Sequence, residues 1–499
     1  MVADFLHPLA IGSREEFARL QDILRGAVYT ENTVCERSGI QSIFDFEPRQ
    51  NDAYEPKPFR DRLDALLRVL MHGQLARRSD LLAVLDTHEL NIFESLGVLA
   101  RSPGDPSLFY STAVLYPIEN VYIASDRPFP PLPDWSGAVP ADVVFSGISR
   151  HTRIFLGSIP RDPCESLLDL CAGSGVAGLI AGANFAKTAC TTDLGERCVH
   201  FSEFSRRLNG LENVSSAAGD LYDAVPGRMF DRIVAHPPYI PSKETSILFR
   251  DGGEDGEQIF RGVIEGLPQA LAPAGRLHCV TFASDRRSGE LEDRIRSWLG
   301  PEETEFDVVV VASELRNRPD AAIRTLTKGE KLKLGESGET LERLGVTRLF
   351  YGSVMVQRKP PTRSAFTART FRSPRTALSA AEDYRRLATT LYSPELAAST
   401  SETIPSLAPE LRLTVTHKPG PDGLIPQEYS LRLDYPWISE ARTESWIAAL
   451  LSLCNGTRRV SEIYDQLRLE GIMGEETTPA EFWGLVRLLA VGGYLELGH

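Results

Sequence analysis

At 499 residues, with 42% hydrophobic and 24% charged positions, the chain has an ordinary globular composition and length for about two to four domains. A net charge of −14 argues against a protein built to grip nucleic-acid backbones, which needs a surplus of Lys and Arg. No basic-then-apolar leader opens the chain, no apolar run reaches about 18 residues, and the seven cysteines form no CxxC pair, so a cytoplasmic protein with reduced thiols and no membrane span is expected.

The pattern from residue 14 to 100 is helical. EEFARLQDILRGA, PFRDRLDALLRVLMHG, SDLLAVLDTHEL and IFESLGVLA carry apolar residues at helical spacing. SLFYSTAVLYPI and NVYIASD follow, rich in aromatic and β-branched residues, and read as strands. Helices followed by a β-ribbon suggest a winged-helix-like domain over 1–135; a helical cap on the next domain is the competing reading. From 140 to 358 strand and helix alternate. SLLDLC, KTACTTD, SSAAGD, RIVAH, RLHCVTFA, FDVVVVAS and RLFYGSVMVQRK are the strands, which predicts a doubly wound, Rossmann-like α/β sheet whose last two strands close it as an antiparallel pair. KPPTRSAFTARTFRSPRT, rich in Pro and Arg, reads as a linker, and 359–400 is assigned as linker and irregular segment. Residues 401–499 end in three or four helices and a strand-like tail, a second mainly helical, winged-helix-like domain and a candidate surface for a homodimer.

The chemistry lies at the ends of the first four strands of the α/β region. Asp169-Leu-Cys-Ala-Gly-Ser-Gly175 stands at a strand-to-helix turn, where glycines let a ligand approach the backbone. A carboxylate ahead of the glycines would repel a pyrophosphate but suits the cationic amino-acid end of S-adenosylmethionine. Asp193, 24 residues on, ends the second strand, where a carboxylate accepts from ribose hydroxyls. Asp220 ends the third, in reach of an adenine amino group, although a turn-forming Asp after Gly is the simpler reading of that residue alone. The cofactor residues are therefore Asp169, Cys171, Ala172, Gly173, Gly175, Asp193, Leu194, Asp220, Leu221 and His236. The fourth strand opens onto His236-Pro237-Pro238-Tyr239. Two prolines stiffen that loop and remove two donors, leaving carbonyl oxygens to face a substrate. His236, Pro237 and Tyr239 are the candidate catalytic residues. The histidines form no HExxH spacing, so no metal is expected.

These motifs resemble the HemK/PrmC-type protein-glutamine N5-methyltransferases of the class I family. The resemblance runs over 164–283 and includes LDLCAGSG, TTD with Asn209 downstream, AGDLYDAV, HPPY for the family's NPPY, DGGEDG at 251–256 and QALAPAGRL. It implies that 169–175, Asp193 and Asp220 bind S-adenosyl-L-methionine and that 236–239 grips the nucleophile. Cys171 stands where the family has a glycine, and His236 where it has the asparagine that holds the accepting nitrogen. An imidazole can accept a hydrogen bond, or take a proton near its ordinary pKa of about 6.5, so base and positioning group both stay open. The expected activity is methyl transfer to a nitrogen or oxygen of a peptide, protein or biosynthetic small molecule, with an RNA or DNA N-methyltransferase or a non-catalytic peptide binder as alternatives. The end LCNGTRRVSEIYDQLRLEG…AEFWGLVRLLAVGGYLEL resembles PqqD-like, peptide-recognising winged helices and the regulatory winged helices of some protein methyltransferases.

Overall fold

Runs such as LLDL and RIVA carry Leu, Ile and Val on both faces, the pattern of strands covered by helices on either side. They form the centre of the sheet. In the computed structural model helix α1 (Arg150–Ser158) leads into β1 (Cys164–Leu170), α2 (Val176–Asn184), β2 (Ala186–Asp193), α3 (Glu196–Leu208), β3 (Val214–Ala218), β4 (Phe230–Ala235), α4 (Gln258–Glu265) and β5 (Leu271–Arg286). The strands are parallel in the order β3-β2-β1-β4-β5. The direction of winding reverses between β1 and β4, and open α/β sheets bind ligands beyond the carboxyl ends of strands at such a point. This is the class I methyltransferase fold.

The structure describes residues 8–47, 56–128, 132, 140–242, 247–316, 334–373, 386, 391, 399–421, 423–435, 437–474 and 476–498. It divides into one unit of Met1–Thr281 with Leu332–Leu344 and another of Phe282–Lys331 with Gly345–His499. Among the described residues no helix is long and apolar enough to cross a membrane.

The N-terminal part of the first unit holds helices Arg14–Gly26, Glu31–Ser38 and Thr87–Ser95, a small antiparallel sheet, and a hairpin of Val114–Ile118 with Val121–Ser125. Ser13 caps the first helix in a reciprocal capping box with Glu16. The hairpin is tied to α3: Asn209 accepts from the Tyr122 N–H at 2.8 Å and donates to the Tyr122 carbonyl at 2.7 Å. Phe17 packs edge-on against Phe204 at 5.1 Å.

In the second unit β6 (Phe306–Arg316) pairs antiparallel with β7 (Val346–Arg358), the closing pair expected from sequence. The described part of the Pro/Arg-rich segment corrects the linker reading. Thr367–Arg372 is a strand, β8, paired parallel with β6, and Arg363 is buried, donating to the Asp307 carboxylate at 2.8 Å. Composition misled because a buried arginine needs a carboxylate from elsewhere in the chain, and local sequence does not show it. Most of the remainder of 359–400 lies outside the described residues. Beyond it, β9 (Ile404–Leu407), a hairpin of β10 (Arg412–Gly420) and β11 (Gly423–Leu433), and β12 (Trp437–Thr443) precede helices α5 (Ser445–Leu453), α6 (Val460–Leu469) and α7 (Pro479–Val491) and strand β13 (Leu495–Gly498). β13 pairs with β9, and Leu450, Val460, Leu467, Phe482 and Val486 form the core beneath the helices.

Candidate active site

Register brings the site together. Leu170 lies opposite both Thr192 and Ala235, and Asp193 opposite Ala218, so the residues after β1, β2, β3 and β4 leave the sheet side by side. One cavity beyond these ends is lined by Cys171, Gly173, Thr192, Asp193, Leu194, Asp220, Leu221, His236 and Pro238, and further by Val143, Phe145, Phe249, Asp251 and Gln258. Of the residues named from sequence, Asp169, Ala172, Gly175, Pro237 and Tyr239 stand behind this lining.

The loop after β1 turns through positive φ at Cys171 (54°), Gly173 (54°) and Gly175 (75°). A Cβ added at Gly173 would meet nothing within 4 Å, so the backbone there faces open space that a ligand can fill. A Cβ at Gly175 would sit 2.3 Å from Ser202 Oγ; that glycine serves the packing of α2 against α3. Asp193 holds the loop, its Oδ2 accepting from the Gly173 N–H at 2.8 Å and its Oδ1 from the Gly195 N–H at 2.9 Å. The carboxylate also lines the cavity. Burial raises its carboxyl above the usual range. Asp169 is buried, and its Oδ2 accepts from the Gly178 N–H at 2.8 Å. Burial pushes this acid up to about 7, with the Asp193 charge adding and the Gly178 bond opposing.

Asp220 is exposed and makes no capping bond to the 3-10 turn Leu221–Ala224 that follows it. A turn-forming Asp would spend its carboxylate on that cap; this one turns to the cavity. Leu221 takes φ 47°, and the Tyr222 hydroxyl fixes the turn on α4 by donating to the Val263 carbonyl at 2.7 Å.

The His236–Tyr239 loop is zipped to the segment after it. Ile240 N–H donates to the Arg250 carbonyl at 2.9 Å, and Gly252 N–H to the Ile240 carbonyl at 2.8 Å. The His236 imidazole stacks on Phe155, centroids 5.3 Å apart and planes at 27°. Its edge reaches the cavity, yet enclosure by protein, with the His151 imidazole beside it, pushes its pKa down to about 3. Burial therefore favours the neutral imidazole over the imidazolium. Burial pushes the Tyr239 phenol up to about 12.

Sequence reasoning missed His151, Phe155, Phe145 and Phe249. Phe145 and Phe249 stack at 4.8 Å on the cavity wall, half exposed, because Leu248 N–H bonds to the Ala141 carbonyl and zips the two segments together. The one available signal was the i, i+4 spacing of His151 and Phe155 in RHTRIF. A cavity of about 740 Å³, against about 190 Å³ at the strand ends, lies among the N-terminal helices. Two of its arginines are paired, Arg37 with Asp61 outside the lining at 3.1 Å and Arg68 with Asp64 at 3.0 Å, and it holds none of the strand-end groups. The smaller cavity is the better candidate.

Fold and cavity together define a class I methyltransferase domain. Residues 141–300 match the family model described as Methyltransferase small domain. A release factor glutamine methyltransferase of Thermodesulfovibrio yellowstonii is 31% identical over 121 residues, 22% of this chain and 43% of its own length. A ribosomal protein uL3 glutamine methyltransferase of Bradyrhizobium diazoefficiens is 29% identical over 167 residues, 30% of this chain and 51% of its own. Residues 141–300 are thus a class I methyltransferase domain similar to these glutamine methyltransferases. The chain spans about half the length of these curated relatives.

Proposed function

We propose that the protein transfers a methyl group from S-adenosylmethionine to a nitrogen of a protein side chain. The observation that carries this reading is the meeting, in one cavity, of the Asp193 and Asp220 carboxylates with the His236–Pro238 face of the HPPY loop. The lining suits the cofactor: carboxylates for hydroxyl and amino groups, Leu194 and Leu221 for an apolar ring, and an open backbone at Gly173. Asp193, Asp220 and the 171–175 loop would hold it, and Asp169 behind the loop supplies negative charge toward its cationic end. Bound there, it provides an electrophilic methyl group on a sulfonium.

The chain's own part is to hold and desolvate the acceptor. Proximity of this kind supplies several kcal/mol of barrier reduction, within roughly the 7–11 kcal/mol that orientation affords at best. Neutral His236 and the proline carbonyls offer hydrogen-bond acceptors. They favour a nucleophile that carries N–H groups over a carboxylate, whose oxygens they would repel. The names of the relatives point to a glutamine amide in a protein. The terminal regions 1–135 and 401–499 are read as winged-helix-like modules that recognise the acceptor or join two copies; the support is their run of helices beside short antiparallel strands.

Calorimetry tests the cofactor half. S-adenosylhomocysteine should bind the intact chain, and Asp193→Ala should abolish most of that binding. Binding of NAD in its place would overturn the reading.

A further inference from the structure

Helix α1 lays two aromatic side chains one turn apart against the HPPY loop. His151 and Phe155 sit at i and i+4, on one helix face. The Tyr239 hydroxyl and His151 Nδ1 are 3.2 Å apart, a hydrogen bond across 88 residues of sequence. The two rings meet edge to face at 6.2 Å and 83°. One turn later Phe155, buried, stacks on His236, and His236 in turn lies 6.0 Å from Tyr239. The register of this helix is fixed at its start, where Ser149 Oγ accepts from the Thr152 N–H at 3.1 Å. A small rotation of α1 would therefore move both aromatic members of the HPPY loop together.

We infer that His151 is a positioning residue of the acceptor site, holding the Tyr239 hydroxyl while Phe155 sets the plane of His236. The inference rests on the methyltransferase reading and adds to it a residue that orients the HPPY loop. A neutral imidazole has one accepting and one donating nitrogen, and a phenol has one proton. With Nδ1 accepting, the Tyr239 proton is committed to His151, and toward any further group the phenol oxygen can only accept. His236 lines the cavity, so holding the loop through Tyr239 and Phe155 fixes where its imidazole stands toward an acceptor. His151 touches neither cofactor nor acceptor in this arrangement; its effect passes through Tyr239.

The test pairs two readouts on His151→Phe, His151→Asn, Tyr239→Phe and the His151→Phe/Tyr239→Phe double variant. The first is calorimetry with S-adenosylhomocysteine. The second is transfer from methyl-labelled S-adenosylmethionine to graded amounts of soluble lysate protein, which separates the plateau rate from half-saturation. His151→Phe should keep its affinity for S-adenosylhomocysteine and lose about tenfold or more in plateau rate, the size of one lost hydrogen bond at a reacting centre. His151→Asn, which restores an acceptor near the Nδ1 position, should recover most of the rate. Tyr239→Phe should add little to His151→Phe, because both remove the same bond. An unchanged plateau rate in His151→Phe, no recovery in His151→Asn, or additive losses in the double variant would overturn the assignment. A wild-type chain that binds no S-adenosylhomocysteine would overturn the methyltransferase reading, and the assignment with it.

Discussion

Cys171 stands in a left-handed conformation, φ 54°, which an L side chain adopts at a cost of about 1 kcal/mol or more. Cys171→Gly should therefore raise the urea midpoint, by about 1 kcal/mol of stability, with S-adenosylhomocysteine binding retained. Asp169 makes a pH prediction. Its buried carboxyl is raised to about 7, so in the free protein its contribution to stability is lost as pH climbs from about 4, its unfolded value, toward 7. A ligand ammonium placed beside it favours the ionised form and releases that proton on binding. Affinity for S-adenosylhomocysteine should thus strengthen as pH rises through about 7, with proton release seen by calorimetry in buffers of different ionisation enthalpy; Asp169→Asn should flatten the slope. Residues at strand ends were the legible part of the site. Asp193 and Asp220 were legible as acids closing parallel strands, and both line the cavity; Asp193 also holds the glycine loop, whereas Asp220 makes no cap. His151 was not readable, since nothing local links it to a tyrosine 88 residues away.

At the scale of elements, the alternation of strands and helices over 164–283 is a local signal, and the parallel pairing of β1 to β5 is the arrangement that short βα units with right-handed crossovers allow. Strand β8 escaped because its reasons lie at a distance. Arg363 and Asp307 are both almost wholly buried and bonded to each other. Arg369 likewise bonds Asp285 at 2.7 Å and Glu292 at 2.5 Å. Within the tract that reads as a linker, Arg363 just before strand β8 and Arg369 within it pair with buried acids. Removing one partner of such a pair leaves an uncompensated buried charge, at a cost of about 3–5 kcal/mol. Asp307→Asn should accordingly lower the denaturation midpoint of the second unit sharply, whereas Arg412→Ala, at an exposed ion pair, should change it little. Equal, small effects would restore the linker reading.

Across the whole molecule, about a third of the chain, residues 141–300, carries the family match, and the cavity is built entirely within the first unit. Recognition of a protein acceptor rests on surfaces and not on the strand-end motifs that sequence displays. The net charge of −14 sets an expectation of modest affinity for nucleic acid. The most direct measurement is incubation of the full chain with methyl-labelled S-adenosylmethionine and fractionated cell lysate, with Asp193→Ala as control. The account predicts label that is sensitive to protease, resistant to nuclease and absent with Asp193→Ala. Label removed by nuclease, or none in any fraction despite intact S-adenosylhomocysteine binding, would contradict it.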